Sequence, residues 1–143
     1  MYTVRKCIQK KGGAVWTIRP EETVLAALEL MAEKDVGALV VMEGDRLVGM
    51  ISERDYARKV ILRGKRSHET LVSEVMSCPV YTIHPDQILQ DCLAIMNLRR
   101  VRHLPVVEND RVIGVISSRD VLANLVLIQE ETIRFLEDTN LDR

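Results

Sequence analysis

Between Thr23 and Lys34 the apolar residues Val24, Ala27, Leu28 and Met31 fall at the i, i+3, i+4 and i+7 spacing of one buried helix face. After Pro85, Ile88, Cys92 and Ile95, with Leu89, Leu93 and Met96 alongside, draw a second stripe of the same kind. Each stripe is followed by two β-rich runs around a Gly/Asp or Asn/Asp turn: ALVVM-EGDR-LVGMIS in the first half, LPVV-ENDR-VIGVIS in the second. Their apolar positions are nearly continuous, which predicts hairpins covered on both faces. Each hairpin runs directly into a helix. A short strand, WTIRP, precedes the first stripe and is stopped by Pro20, which has no N–H to give to a ladder. The order β-α-β-β-α therefore occurs twice, in residues 1–62 and 72–143, with the polar, aperiodic stretch RGKRSHET inside a linker at 63–71.

The two halves are copies. Shifting the chain by 65 positions lays Thr17 on Thr82, Pro20 on Pro85, Leu28 on Leu93, Met31 on Met96, Val36 on Val101 and Leu39 on Leu104 without a gap. It also lays Gly49 on Gly114, Ile51 on Ile116, Ser52 on Ser117, Arg54 on Arg119 and Asp55 on Asp120. Each copy reads as one supersecondary unit that cannot bury its apolar face alone. The lead-in segments TVRKCI and VSEVM also correspond, with the loop KKGGA making the first copy about three residues longer there. The fold expected is α/β of the α+β kind, two repeats packed through their sheets into one pseudo-two-fold module.

Composition narrows the chemistry. A chain of 143 residues that is 47% hydrophobic and 29% charged has enough apolar surface to fold without help. No apolar run approaches the roughly 20 residues needed to span a bilayer, and the charged start MYTVRKCIQKKGG lacks a signal-peptide core, which predicts a cytoplasmic chain with no membrane role. A formal net charge of −1 and five aromatic residues argue against a nucleic-acid partner. Cys7, Cys78 and Cys92, with His68, His84 and His103, follow no metal-ligand spacing, so neither a metal site nor a disulfide framework is expected. The sequence pattern suggests no nucleophile or carboxylate for His103 to serve as a general base, and no catalytic residue is assigned.

The repeated step Ser-x-Arg-Asp, at Ser52–Asp55 and Ser117–Asp120, carries the chemistry. Ser followed three residues later by an acid is a helix capping box. The same geometry also suits an anion: free N–H groups at a helix start and a Ser hydroxyl meet a phosphate, and Arg54 or Arg119 adds charge-assisted bonds. A carboxylate one turn into the helix can then accept both hydroxyls of a ribose. An arginine has no part in capping, so its repetition favours a nucleotide.

The ordered set MSCPVYTIHPDQI, RHLPVV and G-x-I-S-x-x-D, present in two copies over almost the whole chain, resembles the tandem cystathionine-β-synthase (CBS) pair, or Bateman module, of stand-alone bacterial proteins. The resemblance implies a non-catalytic regulatory sensor that binds an adenine nucleotide (AMP, ADP, ATP or NAD) in clefts between the repeats and transmits its state to an unknown target protein. It also implies crosswise clefts. Ser52, Arg54 and Asp55 would hold the ribose and phosphate of a nucleotide whose base lies against Tyr81, Thr82, Ile83, Arg102 and His103. Ser117, Arg119 and Asp120 would face Trp16, Thr17, Ile18, Gly37 and Ala38. The first repeat has GALV where the second has RHLP, so the Asp55 cleft is expected to hold the tighter ligand. Arg58 and Lys59 are either further phosphate contacts or a solvated helix face. A sensor of S-adenosylmethionine type, or a purely structural interaction module with caps at Ser52 and Ser117, would give the same pattern.

The last helix, from Ser118 through Leu136, contains LVLI, apolar around its whole circumference. Such a helix needs cover on several sides, which predicts a homodimer through the modules and this helix.

Overall fold

The computed structural model describes residues 2–139. It contains six α-helices and two small sheets: α1 Val4–Lys11, β1 Thr17–Ile18, α2 Val24–Lys34, β2 Ala38–Glu43, β3 Arg46–Ser52, α3 Glu53–Lys59, α4 Val72–Val75, α5 Leu89–Arg99, β4 His103–Glu108, β5 Arg111–Ser117 and α6 Ser118–Thr139. A 3-10 turn covers Ile61–Arg63. No helix among the described residues is long and apolar enough to cross a membrane.

The chain divides into two compact units. The central unit is Ala14–Tyr81; the split unit joins the segment up to Gly13 to the segment from Thr82 onward. In the central unit β1 runs parallel to β2, which runs antiparallel to β3. In the split unit β4 and β5 form the matching hairpin. Both hairpins carry a register shift at the same place, between Val41 and Met42 and between Val106 and Val107, so the repeat extends to the bulge. Leu39, Val40 and Val41, and likewise Leu104, Pro105 and Val106, are buried consecutively, as a strand covered on both faces must be.

The helices repeat in the same register. Thr23 caps α2 by accepting from the Ala26 N–H at 3.1 Å, and Val24, Ala27 and Met31 are buried. In α5 the buried positions are Leu89, Cys92 and Met96, 65 residues further on. Ile88 and Ile95 are half-buried, so the second stripe is centred one residue later than the sequence periodicity suggests. Both helices end on a left-handed residue, Asp35 at φ 54° and Arg100 at φ 56°.

One element differs. Val40 donates its N–H to the Trp16 carbonyl at 3.2 Å and helps to hold β1, whereas its counterpart Pro105 has no N–H. The second copy's first strand is therefore reduced to a bridge at Ile83, which donates to the Pro105 carbonyl and accepts from the Val107 N–H, each at 3.0 Å.

The lead-in segments are exchanged. Val72 and Ser73 donate to the carbonyls of Glu22 and Pro20 at 2.8 and 2.9 Å, and Val4 and Arg5 donate to those of Gln87 and Pro85, both at 2.8 Å. These are the same bonds made at equivalent positions, but each lead-in serves the repeat that it does not precede in the sequence. A Cβ on Gly49 would lie 2.6 Å from Met76 Sδ, and one on Gly114 3.0 Å from Ile8 Cγ2, so each hairpin glycine admits the lead-in that packs on it. The compact units thus follow a different division from the sequence repeats.

Candidate functional site

Each hairpin delivers its last strand residue, Ser52 or Ser117, to the start of a helix, and the Ser-x-Arg-Asp step forms there. In the central unit the Ser52 hydroxyl accepts from the Asp55 N–H at 3.2 Å, and Asp55 Oδ2 accepts from the Ser52 N–H and hydroxyl, both at 3.0 Å. The other oxygen, Oδ1, takes the Ser77 hydroxyl at 3.0 Å and the Lys59 ammonium at 2.9 Å. Lys59 is fixed in turn by the Val75 carbonyl at 3.0 Å. Asp55 is 9% exposed, and both its oxygens are engaged by its own unit.

The split unit builds the same capping box. Asp120 donates its N–H to the Ser117 hydroxyl at 3.1 Å, and Asp120 Oδ2 accepts from the Ser117 N–H at 2.9 Å. What surrounds it is different. The cation is Lys11, from the last turn of α1, whose ammonium lies 2.8 Å from Oδ2 and 3.1 Å from the Val115 carbonyl. The Asp120 side chain is 21% exposed and that of Lys11 42%. Burial pushes the Asp120 carboxyl up, but the bonds from Lys11 and Ser117 together outweigh it and hold the group below the usual carboxylate range.

Asn124 stands where Lys59 stands in the other copy. Its amide donates to the Asp120 carbonyl at 2.7 Å and to Cys7 Sγ at 3.3 Å, while its buried Oδ1 has no partner among the described residues. Cys7 and Cys92 are buried in the same unit, and desolvation first, then mutual repulsion and the nearby Asp91, pushes the Cys92 thiol up to about 12. These thiols are packing groups and not nucleophiles.

The other residues expected at a site fall as follows. Trp16, Thr17, Ile18, Gly37, Ala38, Arg54, Arg58, Lys59 and Tyr81 lie in the central unit with Ser52 and Asp55. Thr82, Ile83, Arg102, His103 and Arg119 lie in the split unit with Ser117 and Asp120. His103 is the cross-strand partner of Ser117, and the Arg102 carbonyl accepts from the Ser118 N–H at 2.9 Å. At the equivalent place in the central unit, Ala38 pairs with Ser52 and the Gly37 carbonyl accepts from the Glu53 N–H at 3.0 Å. Arg102 and His103 therefore flank the Asp120 step within one unit. Ile18 and Ile83 are buried and Thr17 and Thr82 exposed, and the Lys34 ammonium sits 4.4 Å from the centre of the half-buried Trp16 ring. Among the described residues no carboxylate pairs with Arg54, Arg58, Arg102 or Arg119. Lys11, Ser77 and Asn124 carried no signal in the sequence, because each reaches its step from a lead-in or from a position that differs between the copies.

A third cluster joins His84, Asp86 and Glu108, whose potential ligand atoms lie within 4.8 Å of one another. Arg5 already occupies it, with its guanidinium 3.0 Å from Asp86 and in two bonds of 2.5 and 3.2 Å to the Glu108 oxygens, and this pairing holds the Glu108 carboxyl below its usual range. The cluster is a surface salt-bridge network centred on Arg5.

Two copies of a hairpin-to-helix unit, each ending in a capped Ser-x-Arg-Asp step flanked by arginines that have no carboxylate partner among the described residues, define a class of paired repeat modules. The CBS domain family model matches residues 13–62 and 72–127, and the chain belongs to that family. It is 34% identical over 110 residues to the CBS domain-containing protein YhcV of Bacillus subtilis, covering 77% of this chain and 78% of the relative. It is 35% identical over 121 residues to the mitochondrial CBS domain-containing protein CBSX3 of Arabidopsis thaliana, of which it spans 59%. Among solved structures, a protein with CBS domains from Burkholderia ambifaria superposes with a TM-score of 0.84 at 38% identity, over 87% of this chain and 94% of that one. CBS pairs are regulatory modules, and the matches point to no enzyme family.

Proposed function

We propose that the chain is a non-catalytic sensor of adenine nucleotides whose working site is the Ser117–Arg119–Asp120 step, served by Thr82, Ile83, Arg102 and His103 of the same unit. The observation that carries this reading is the placement of Arg102 and His103 beside Ser117, with Asp120 partly exposed. In this reading the helix start, Ser117 and Arg119 meet phosphate, and the Asp120 carboxylate accepts the ribose hydroxyls. The Ser52–Arg54–Asp55 step is then chiefly a structural lock, because Ser52, Ser77 and Lys59 saturate its carboxylate.

A target protein would read the ligand only if the nucleotide binds one arrangement of the module better than another. Calorimetry and thermal unfolding with AMP, ADP, ATP, NAD and S-adenosylmethionine test the reading, since a ligand of the native state must raise the midpoint. No shift with any of them would leave the interaction-module reading, which the complete capping boxes also fit.

A second copy is the proposed cover for α6. Leu122, Val126, Ile133, Phe135 and Leu136 are each more than half exposed, and beyond Ile128 every described residue of the helix is exposed. A CBS-CP12 protein of bloom-forming cyanobacteria, 27% identical, is hexameric. Charged residues at Ile133 and Leu136 should lower the mass seen by analytical ultracentrifugation; an unchanged mass would exclude the helix as a seam.

A further inference from the structure

We infer that Lys11 is the phosphate-selecting residue of this site, an ammonium that neutralises Asp120 while the site is empty and exchanges that partner for a ligand phosphate. The inference rests on the nucleotide reading of the Asp120 step and adds to it a residue outside the Ser-x-Arg-Asp motif, contributed by a different segment of the chain.

Three observations support it. An ammonium has three donors, and Lys11 uses two, on Asp120 Oδ2 and the Val115 carbonyl, so one remains for a ligand. Lys11 sits on a flexible stem in the last turn of α1, immediately before the left-handed Gly12 that ends the helix, and its side chain is 42% exposed, so its head can move without disturbing the core. The Asp120 carboxylate already gives Oδ2 to both Lys11 and the Ser117 N–H, so while Lys11 stays in place only Oδ1 is open to a ribose, and the usual one-oxygen-per-hydroxyl pairing requires Lys11 to leave Oδ2.

The consequence is a filter. A nucleoside that takes Asp120 strips Lys11 of its counter-charge and offers nothing in return. A nucleotide offers phosphate oxygens, and a charge-assisted bond replaces the one that is lost. The central unit has no such device: Lys59, which holds Asp55, lies within α3 itself and is anchored on the Val75 carbonyl.

The experiment is calorimetric titration of the full chain and of its Lys11→Met, Lys11→Arg and Lys10→Met variants with AMP and with adenosine. Lys10 lies in the same turn and removes the same charge, so it controls for the general field. Lys11→Met should cut the preference for AMP over adenosine by about tenfold, with adenosine binding no worse than to the parent. Lys11→Arg should restore most of the preference, and Lys10→Met should leave it within about twofold. A Lys11→Met protein that keeps the parental preference overturns the inference while leaving the nucleotide site standing, as does an equal loss in Lys10→Met. If the parent binds neither ligand, the nucleotide reading falls and the inference falls with it.

Discussion

Asp55 and Asp120 occupy the same position in two copies of one unit, and the protein treats them differently. Both close a capping box on the serine that ends their hairpin. Asp55 is then packed under Ser77 and Lys59 until both oxygens are spent, while Asp120 meets the half-exposed Lys11 and keeps contact with solvent. The motif is constant and its surroundings are not. The surroundings come from the exchanged lead-ins: Ser77 follows α4, and Lys11 ends α1. A repeated motif thus specifies a helix start in both copies, and the neighbours decide how much of its carboxylate is left open.

The largest effect that separates the two is on stability. Asp55→Asn replaces an acceptor by an NH₂ group and leaves Lys59 and Ser77 facing it, so it should cost about 2–3 kcal/mol, as the loss of buried charge-assisted bonds does. Asp120→Asn should cost about 1 kcal/mol, the scale of a weakened cap. Urea midpoints of both variants measure the difference. Equal losses would make the two steps energetically alike and remove the basis for calling one a lock. In the proposed nucleotide binding the order should reverse, with Asp120→Asn abolishing the response to AMP in calorimetry and Asp55→Asn keeping it. The family resemblance implies the opposite ranking, because it assigns Arg102 and His103 to the Asp55 cleft, and the AMP response of the two variants decides between the two.

The next effect tests the exchange of lead-ins. Gly49→Ala places a methyl 2.6 Å from Met76 Sδ and 3.3 Å from Met76 Cβ, so the α4 lead-in must shift, at a cost of about 1–2 kcal/mol. Combining it with Met76→Ala should return part of that loss, an interaction energy of at least about 0.5 kcal/mol. Strictly additive losses would mean that Gly49 does not make room for Met76.

The repeat made most of the fold legible. Helix stripes, hairpin turns and helix starts are local patterns, and two copies confirm each other at Val24 and Leu89, Gly49 and Gly114, Ser52 and Ser117. The shortened strand at Ile83 was also written in the chain, in the single change from Val40 to Pro105, but only register shows that the missing N–H belongs to the ladder. The exchange of lead-ins left no trace, because a lead-in that packs on its own repeat and one that packs on the other have the same periodicity. Lys11 and Ser77 were invisible for the same reason. Their roles depend on contacts across 109 and 22 residues respectively.

The smallest effect is the response to acid, and it distinguishes Lys11 as a partner from Lys11 as a bystander. The Asp120 carboxyl is held below its usual range, so its ionised form is favoured by folding. That contribution is complete above the unfolded carboxyl value of about 3.9 and is lost as the pH falls through the lower folded value. Lys11→Met removes the largest of the lowering influences and leaves burial, which raises the carboxyl. With that lowering removed, the Lys11→Met protein has less carboxylate stabilisation to lose, so it should lie below the parent at pH 7 by less than about 1 kcal/mol and fall less than the parent as the pH drops below about 4, the two curves converging in acid. Lys59→Met should produce a larger loss at pH 7, because it strands the more buried Asp55. Urea midpoints of the parent and the two variants, taken from pH 7 to 3.5, give three curves. If the Lys11→Met curve runs parallel to that of the parent, Lys11 contributes nothing to the Asp120 charge, and the two steps differ only in how deeply they are buried.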